Sequence, residues 1–437
     1  MQTITIENFG LVKYFTAEVK DVMLLIGPQA SGKSTISKVI FFFKEIKDEL
    51  MRFIYEVSPK ELEHPINSFS LRLKQKFTDC FGLTTHLPNF VMKYDYSNTK
   101  STIISLDDKS YIKITFNENI LDELNLIFQE VREYNNKTSR YQSSYTALNA
   151  LLEVEAEKRA YLKLVENRVI NLFEEVRSTL FIPAGRSLLS TLADQIPFIV
   201  IEPYTLDFFM KSFGEKINRL KPSFKDSLTE LVEQKKNLTE QDIDFDKVNL
   251  AIKLTREILK GEYKFERNRE RIYFNEEEYV KLQYASSGQQ EVIWVLLLIF
   301  RYILDREKVF IVFEEPEAHL YPETQESIVQ LIGLVANVEN NQVIVTTHSP
   351  YILSSFNNLL YAYQLGVERV DTEPEDIAKI IDRNLWIDPE RTAAYSIAGK
   401  HYESIIDEDL KLIQAEKIDS ASRLINDKFN ELFKFDN

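Results

Sequence analysis

The residues Gly27-Pro28-Gln29-Ala30-Ser31-Gly32-Lys33-Ser34 follow an apolar run, VMLLI, and precede Ile36, Val39, Ile40, Phe43, Ile46 and Leu50 at helical spacing. Glycines at this spacing, closed by Lys-Ser between a strand and a helix, fit a loop whose backbone N–H groups turn inward around phosphate oxygens. Lys33 would add positive charge and Ser34 a hydroxyl for Mg2+, with Gln29, Ala30, Ser31 and Thr35 as further candidate phosphate contacts.

Three other segments carry groups of the matching kind. In KVFIVFEEPEAHLYP an apolar strand ends in Glu314-Glu315, and two carboxylates at the carboxyl edge of a parallel sheet lie beside such a loop. There Glu314 can hold Mg2+ through water, and Glu315 can act as general base on an attacking water. The next apolar strand ends in Thr346-Thr347-His348-Ser349-Pro350, which brings the His348 imidazole to the same edge. Ser286-Ser287-Gly288-Gln289-Gln290 stands before a strongly apolar helix, so its hydroxyls and amides lie at a helix start. That place suits an anion and equally a plain N-cap.

The elements that must hold these groups can be read from periodicity. Strands are expected over 2–8 and 15–26, then a long helix from Lys33. Three β-type runs between 90 and 116, parted by SNTK and DDK, read as an antiparallel meander. Residues 118–178 and 205–260, rich in Glu, Lys, Leu and Asn, read as two long helical arms, and LFIPAGRSLLS at 180–190 returns the chain to the core sheet. YKFERNRERIYF at 263–274 suggests a hairpin, and the strands and helices after it a mostly parallel sheet flanked by helices. The C-terminal stretch, with Leu410, Ile413, Leu424, Phe429 and Leu432 at helical spacing, reads as helical. Asp407, Glu408 and Asp409 read as part of a solvated helix. The expected organisation is a core lobe over 1–117, a helical insertion over 118–179, a return over 180–204, a second insertion over 205–262, a second core lobe over 263–360 and a helical segment over 361–437.

Composition narrows the function classes. With 53 Lys and Arg against 68 Asp and Glu the formal charge is -15, which repels nucleic acid phosphates and anionic membranes unless a local basic patch intervenes. The single cysteine, Cys80, excludes an intramolecular disulfide framework and a cysteine zinc cluster, and reads as a buried structural thiol in a cytoplasmic protein. The longest apolar stretch, Ile293 to Phe300, has about half the length a bilayer span needs, so no membrane contact is expected.

Order and spacing together resemble the ABC-type ATPases: phosphate loop, long insertion, Ser-Gly signature, acidic strand about 27 residues later and a histidine about 33 beyond. The wording EEPEAHLYP, SSGQQE and IPAGR is similar to the OLD-like branch, related to SMC and RecF proteins, and to the ATPase subunits of anti-phage systems such as PARIS and Septu. The resemblance implies an α/β P-loop NTPase head with a mostly parallel sheet, an antiparallel β subdomain and inserted helical arms. It implies ATP and Mg2+ as ligands, Glu315 as catalytic glutamate, His348 as switch histidine, and His319-Leu320-Tyr321-Pro322 as the D-loop. It further implies that Ser287, Gly288 and Gln289 meet the γ-phosphate of ATP held by a second copy, in a head-to-tail homodimer or larger homo-oligomer. A protein effector such as a nuclease is the implied partner, since about 85 residues after Pro350 are too few for the Toprim domain of OLD nucleases.

Two readings stay open on the sequence. The hairpin cations Lys264, Arg267, Arg269 and Arg271 could clamp DNA, as in an SMC or RecF-like repair ATPase, or form an exposed edge balanced by Glu266 and Glu270. Arg186 could serve the nucleotide or a structural ion pair.

Overall fold

The computed structural model describes residues 1–58, 60–84, 86–141, 148–192, 207–238, 243–369, 373–414, 427–428 and 430–432. In chain order it opens with β1 (Thr3–Phe9), β2 (Val12–Glu18), β3 (Val22–Ile26), α1 (Lys33–Glu56) and α2 (Pro65–Phe81). Next come β4 (Val91–Ser97), β5 (Lys100–Leu106), β6 (Ile112–Phe116), α3 (Glu118–Tyr141), α4 (Leu148–Phe173), β7 (Ser178–Ile182) and α5 (Ser187–Leu192). Helices α6 (Phe208–Leu220), α7 (Leu228–Leu238) and α8 (Phe245–Leu259) lead to β8 (Glu262–Glu266), β9 (Arg269–Tyr273) and β10 (Tyr279–Lys281). The chain continues through α9 (Ser287–Asp305), β11 (Val309–Glu314), α10 (Pro322–Ala336), β12 (Gln342–Thr347), α11 (Pro350–Tyr363), α12 (Pro374–Ala378), β13 (Thr392–Ala398) and β14 (His401–Ser404). The fold class is α/β, with one parallel-rich sheet, two antiparallel sheets and many helices.

The chain divides into two compact units, one of Met1–Val19 with Thr35–Thr179 and one of Lys20–Ser34 with Leu180–Asn437. The first holds an antiparallel sheet in the order β2-β1-β4-β5-β6, so the expected meander β4-β5-β6 is present and β1 and β2 extend it. Its core is aromatic: Phe42 meets Phe77 with ring centroids 5.4 Å apart, and Phe53 meets Phe128 at 5.8 Å. Helices α3 and α4 run antiparallel, with the Tyr134 and Tyr161 rings stacked at 3.8 Å and Arg168 reaching Glu123 and Glu130.

The second unit is built on a sheet in the order β14-β13-β3-β12-β11-β7. Strands β13, β3, β12 and β11 pair in parallel, and β14 is antiparallel to β13. Strands β3, β11 and β12 are buried at every residue, as parallel strands covered on both faces must be. Helix α9 is apolar nearly all round and lies inside the core, with α8 and α10 against it. Strands β8, β9 and β10 form a separate antiparallel sheet, and the expected hairpin turns at Arg267 and Asn268, both at positive φ.

Three expectations are corrected here. The strand over 15–26 is two strands: VKYFTAE alternates and joins the antiparallel sheet, whereas VMLLI is buried throughout and belongs to the parallel one, so their patterns place them in different sheets. The second helical arm is three shorter helices whose Phe213, Ile217, Val232, Val248 and Ile258 are buried in the core cluster of the second unit, so it is a packed layer. The segment 361–437 is not helical throughout: after α12 it contributes β13 and β14. Its Leu410 and Ile413 follow a tight turn in which Asp407 accepts the N–H groups of Asp409 and Leu410, so Asp407, Glu408 and Asp409 form a turn too. Leu424, Phe429 and all of 193–204 lie outside the described residues.

Candidate active site

The parallel register sets three strand ends level. Ile26 of β3 lies opposite Thr347 of β12, and Thr346 lies opposite Glu314 of β11, so the phosphate loop, the paired glutamates and the His348 loop all leave the sheet at its carboxyl edge. The loop's crest, Pro28 to Ala30, is exposed, and Ala30 and Gly32 take φ of 57° and 107°. A side chain at Gly27 would place its Cβ 2.0 Å from the carbonyl oxygen of Ile397 in β13, so only glycine fits there. Ser31 is buried and its hydroxyl has no hydrogen-bond partner among the described residues, while Ser34, in the first turn of α1, is exposed. Thr35 follows in the same turn.

Lys33 is 5 % exposed and donates from Nζ to the carbonyl oxygens of Gly27 and Pro28 at 2.9 and 2.8 Å. The same Nζ lies 3.4 Å from His348 Nδ1, and His348 Nε2 lies 2.7 Å from Glu315 Oε1. A donor facing Nδ1 and an acceptor facing Nε2 match the imidazole that carries its proton on Nε2. Burial pulls the Lys33 ammonium below its ordinary pKa, against the opposing charges of Glu315 and Glu317.

Glu314 is buried, with Oε2 3.4 Å from the Ala184 N–H. Glu315 takes a φ of 45°, a left-handed conformation that a non-glycine residue adopts at a cost of about 1–3 kcal/mol and that concentrates at functional sites. Its N–H donates to the Thr346 carbonyl at 2.9 Å, so the bend after β11 leans on the end of β12.

Arg186 resolves its open reading as structural. It is buried, and its guanidinium donates to the carbonyl oxygens of Pro183 and Glu314 at 2.8 and 2.7 Å and of Glu315 at 3.2 Å. Glu291, in the first turns of α9, faces it at 3.6 Å. Burial draws the Arg186 pKa down, against the charges of Glu291, Glu317, Glu314 and Glu315.

Ser286 caps α9 in a capping box: its hydroxyl accepts the Gln289 N–H, and the Gln289 side chain accepts the Ser286 N–H. Gln289 also donates to the Leu259 carbonyl at 2.9 Å, so its side chain is engaged in the fold. Ser287 is exposed, and a Cβ at Gly288 would meet the His319 carbonyl oxygen at 2.9 Å. The structure therefore gathers Lys33, Glu315 and His348, and places Gly288 against the His319 carbonyl. Two residues of the site were not singled out in the sequence, Glu317 and Glu291; each stands within a motif that was, EEPE and SSGQQE.

The residues fit a nucleoside triphosphate with Mg2+: the loop is bare of side-chain bulk at Gly27, the Ser31 hydroxyl is buried without a partner, and a cation and a carboxylate flank it. Among the described residues no three His, Cys, Asp or Glu side chains group to hold a metal alone, and a Mg2+ shared with phosphates needs only one or two protein oxygens. Two of the four hairpin cations are engaged by neighbours, Arg271 pairing with Glu266 at 2.9 Å and Lys264 lying over the Tyr273 ring, while Glu270 is taken by Lys221. Among the described residues no helix is long and apolar enough to cross a membrane, and Cys80 is buried.

Against known proteins, the family described as AAA ATPase domain matches residues 1–353. No curated protein matches. Among solved structures the chain is similar to the SMC head domain from Thermotoga maritima, at 14% identity and TM-score 0.34 over 81% of this chain and 90% of that one. It is similar to an SmcHead bound to the C-winged helix domain of ScpA, at 9% and 0.39 over 81% and 91%. A third is an Smc head domain with an extended coiled coil bound to the C-terminal domain of ScpA, derived from Pyrococcus furiosus, at 12% and 0.38 over 97% and 100%.

Proposed function

Because the chain belongs to the AAA ATPase domain family, we propose that it binds ATP and Mg2+ at the Gly27–Ser34 loop and hydrolyses the ATP to ADP and phosphate. The observation that carries this reading is the file of Lys33, His348 and Glu315, each within hydrogen-bond reach of the next at the carboxyl edge of the sheet. The nucleotide supplies the γ-phosphate and Mg2+ the Lewis acid. Backbone N–H groups from Gln29 to Gly32 hold the phosphates, and Lys33 exchanges the Gly27 and Pro28 carbonyls for phosphate oxygens. Ser34 and Glu314 would hold Mg2+. Glu315 orients the attacking water and takes its proton, and His348 steadies the Glu315 carboxylate through Nε2.

Ser287, exposed, and Gly288, half-buried beside it at the start of α9, serve the γ-phosphate of a second copy, so two sites close when two chains meet head to tail. The motif wording supports an OLD-like ATPase that holds or releases a protein effector, such as a nuclease, as ATP closes or opens the dimer in anti-phage defence. The formal charge of -15 and the pairing of Arg271 with Glu266 weigh against DNA as the primary partner.

The test is the mass of Glu315→Gln by light scattering, with and without ATP and Mg2+, beside phosphate release by the unaltered chain. An ATP-dependent dimer or larger assembly with turnover only in the unaltered chain is expected. A monomer indifferent to ATP overturns the two-copy site, and absent turnover overturns the enzyme.

A further inference from the structure

The bend after β11 carries Glu317 over the end of β12. Glu317 Oε1 accepts hydrogen bonds from the Thr347 hydroxyl and from the His348 backbone N–H, at 2.5 and 2.9 Å. Thr347 Oγ1 in turn accepts the Ser349 N–H at 2.9 Å, so a single carboxylate oxygen gathers three consecutive residues of the loop that carries the imidazole. Ser349 is tied a second time, its hydroxyl donating to Gln325 Oε1 at 2.6 Å. The other oxygen of Glu317, Oε2, is closed off from solvent and has no hydrogen-bond partner among the described residues. A carboxylate oxygen shut off from solvent without a partner is costly to keep for packing alone.

From this geometry we infer that Glu317 is a positioning residue: by fixing the backbone of His348 it keeps the imidazole between Lys33 and Glu315. The inference rests on the ATPase reading above, in which that imidazole steadies Glu315. A ring with two side-chain partners at 3.4 and 2.7 Å is sensitive to its root, because a backbone displacement moves both contacts at once. Beside the charge it presents to Lys33 and Arg186, Glu317 acts through His348. What it supplies is acceptance of two hydrogen bonds, and an amide oxygen at the same place accepts them as well.

Three variants of the full chain test this. Glu317→Ala is expected to lower kcat about a hundredfold, the scale of an ångström-sized misplacement, with ATP affinity kept within about twofold. Glu317→Gln recovers most of that loss, and Glu317→Ala combined with His348→Ala is no slower than His348→Ala alone. A readout without turnover comes from 13C-labelled histidine: of five histidine signals, the one missing in His348→Gln moves in Glu317→Ala and returns in Glu317→Gln, while the other four stay. An unmoved His348 signal in folded Glu317→Ala overturns the inference, as does a slow Glu317→Ala beside a fast His348→Ala. Should Glu317→Ala fail to fold, Thr347→Val removes one of the two bonds and must move the same signal; an unmoved signal there overturns the inference equally. If the unaltered chain turns over no ATP, the ATPase reading falls, while the histidine spectra still decide whether Glu317 holds His348.

Discussion

Glu291 receives the backbone N–H groups of Arg186 and Ser187 at 2.9 and 2.7 Å, and Arg186 returns its Nε–H to the Glu291 carbonyl at 3.1 Å. Because the same guanidinium holds the carbonyls of Glu314 and Glu315, the first turns of α9 and the paired glutamates are fastened to one cation. Glu291→Ala leaves that cation buried without its counter-charge, and a loss of about 3–5 kcal/mol in denaturant unfolding is expected. Arg186→Met with Glu291→Leu should regain much of the stability, as apolar replacements of buried pairs do. Turnover should stay low in the doubly altered chain, since the Glu315 backbone has lost its anchor. Wild-type turnover in that chain would refute the anchoring.

At Gly27 the space for a methyl group is already taken by the Ile397 carbonyl. Gly27→Ala must displace either the loop or β13, and overpacking of this kind costs about 1–3 kcal/mol. Calorimetry should show ATP affinity falling at least tenfold, about 1.4 kcal/mol. Unchanged affinity would mean that the loop adjusts freely against β13.

Two adjacent serines separate capping from recognition. Ser286→Ala removes the N-cap and should lower stability by about 1 kcal/mol. Ser287→Ala, at an exposed position without a part in the cap, should stay within about 0.5 kcal/mol of wild type in unfolding. If Ser287 serves a second copy's nucleotide, ATP-dependent assembly of the Glu315→Gln chain is lost when Ser287→Ala is added. Assembly that survives Ser287→Ala would leave the segment as a plain helix cap.

In the first unit, Lys44 and Glu175 form a salt bridge with both side chains 1 % exposed. Burial alone would push the Glu175 carboxyl up; the Lys44 and Arg177 charges and the hydrogen bonds to them outweigh it and hold it below its ordinary value. A carboxyl depressed on folding gives stability that is full above the unfolded glutamate value of about 4.3 and is lost as pH falls through the lower folded value. Lys44→Met should therefore cost about 3–5 kcal/mol at pH 7, and the gap to wild type should narrow below about pH 4. Thermal unfolding from pH 7 to pH 3 measures it, and a gap independent of pH would contradict the assignment.

How far the sequence could be read depended on the kind of signal. VMLLI, KVFIVF and NQVIVTT are continuous apolar runs that end in polar motif residues, so both the parallel sheet and its chemical edge could be inferred. The meander was legible from alternation between polar turns. What escaped was β13: Thr392 to Ala398 is short and carries three alanines, so neither hydrophobic run nor β-propensity marks it, and its place is set by pairing with β3. The layer α6 to α8 escaped for the opposite reason, since amphipathic helices read alike whether they pack on a core or on each other. Glu317 and Glu291 were visible as letters, but only the tertiary contacts with Thr347, His348 and Arg186 give them a task.

The pairing of β13 with β3 reaches beyond geometry. The family match ends at residue 353, yet β3 is flanked by β12 on one side and by β13, residues 392–398, on the other. A fragment cut at that boundary would turn the wholly apolar strand that feeds the phosphate loop into the bare margin of a sheet, with its N–H and C=O groups open to any passing strand. Such a fragment would recruit copies of itself into aggregates, so the smallest piece of this chain that can stand alone extends past the hairpin of β13 and β14.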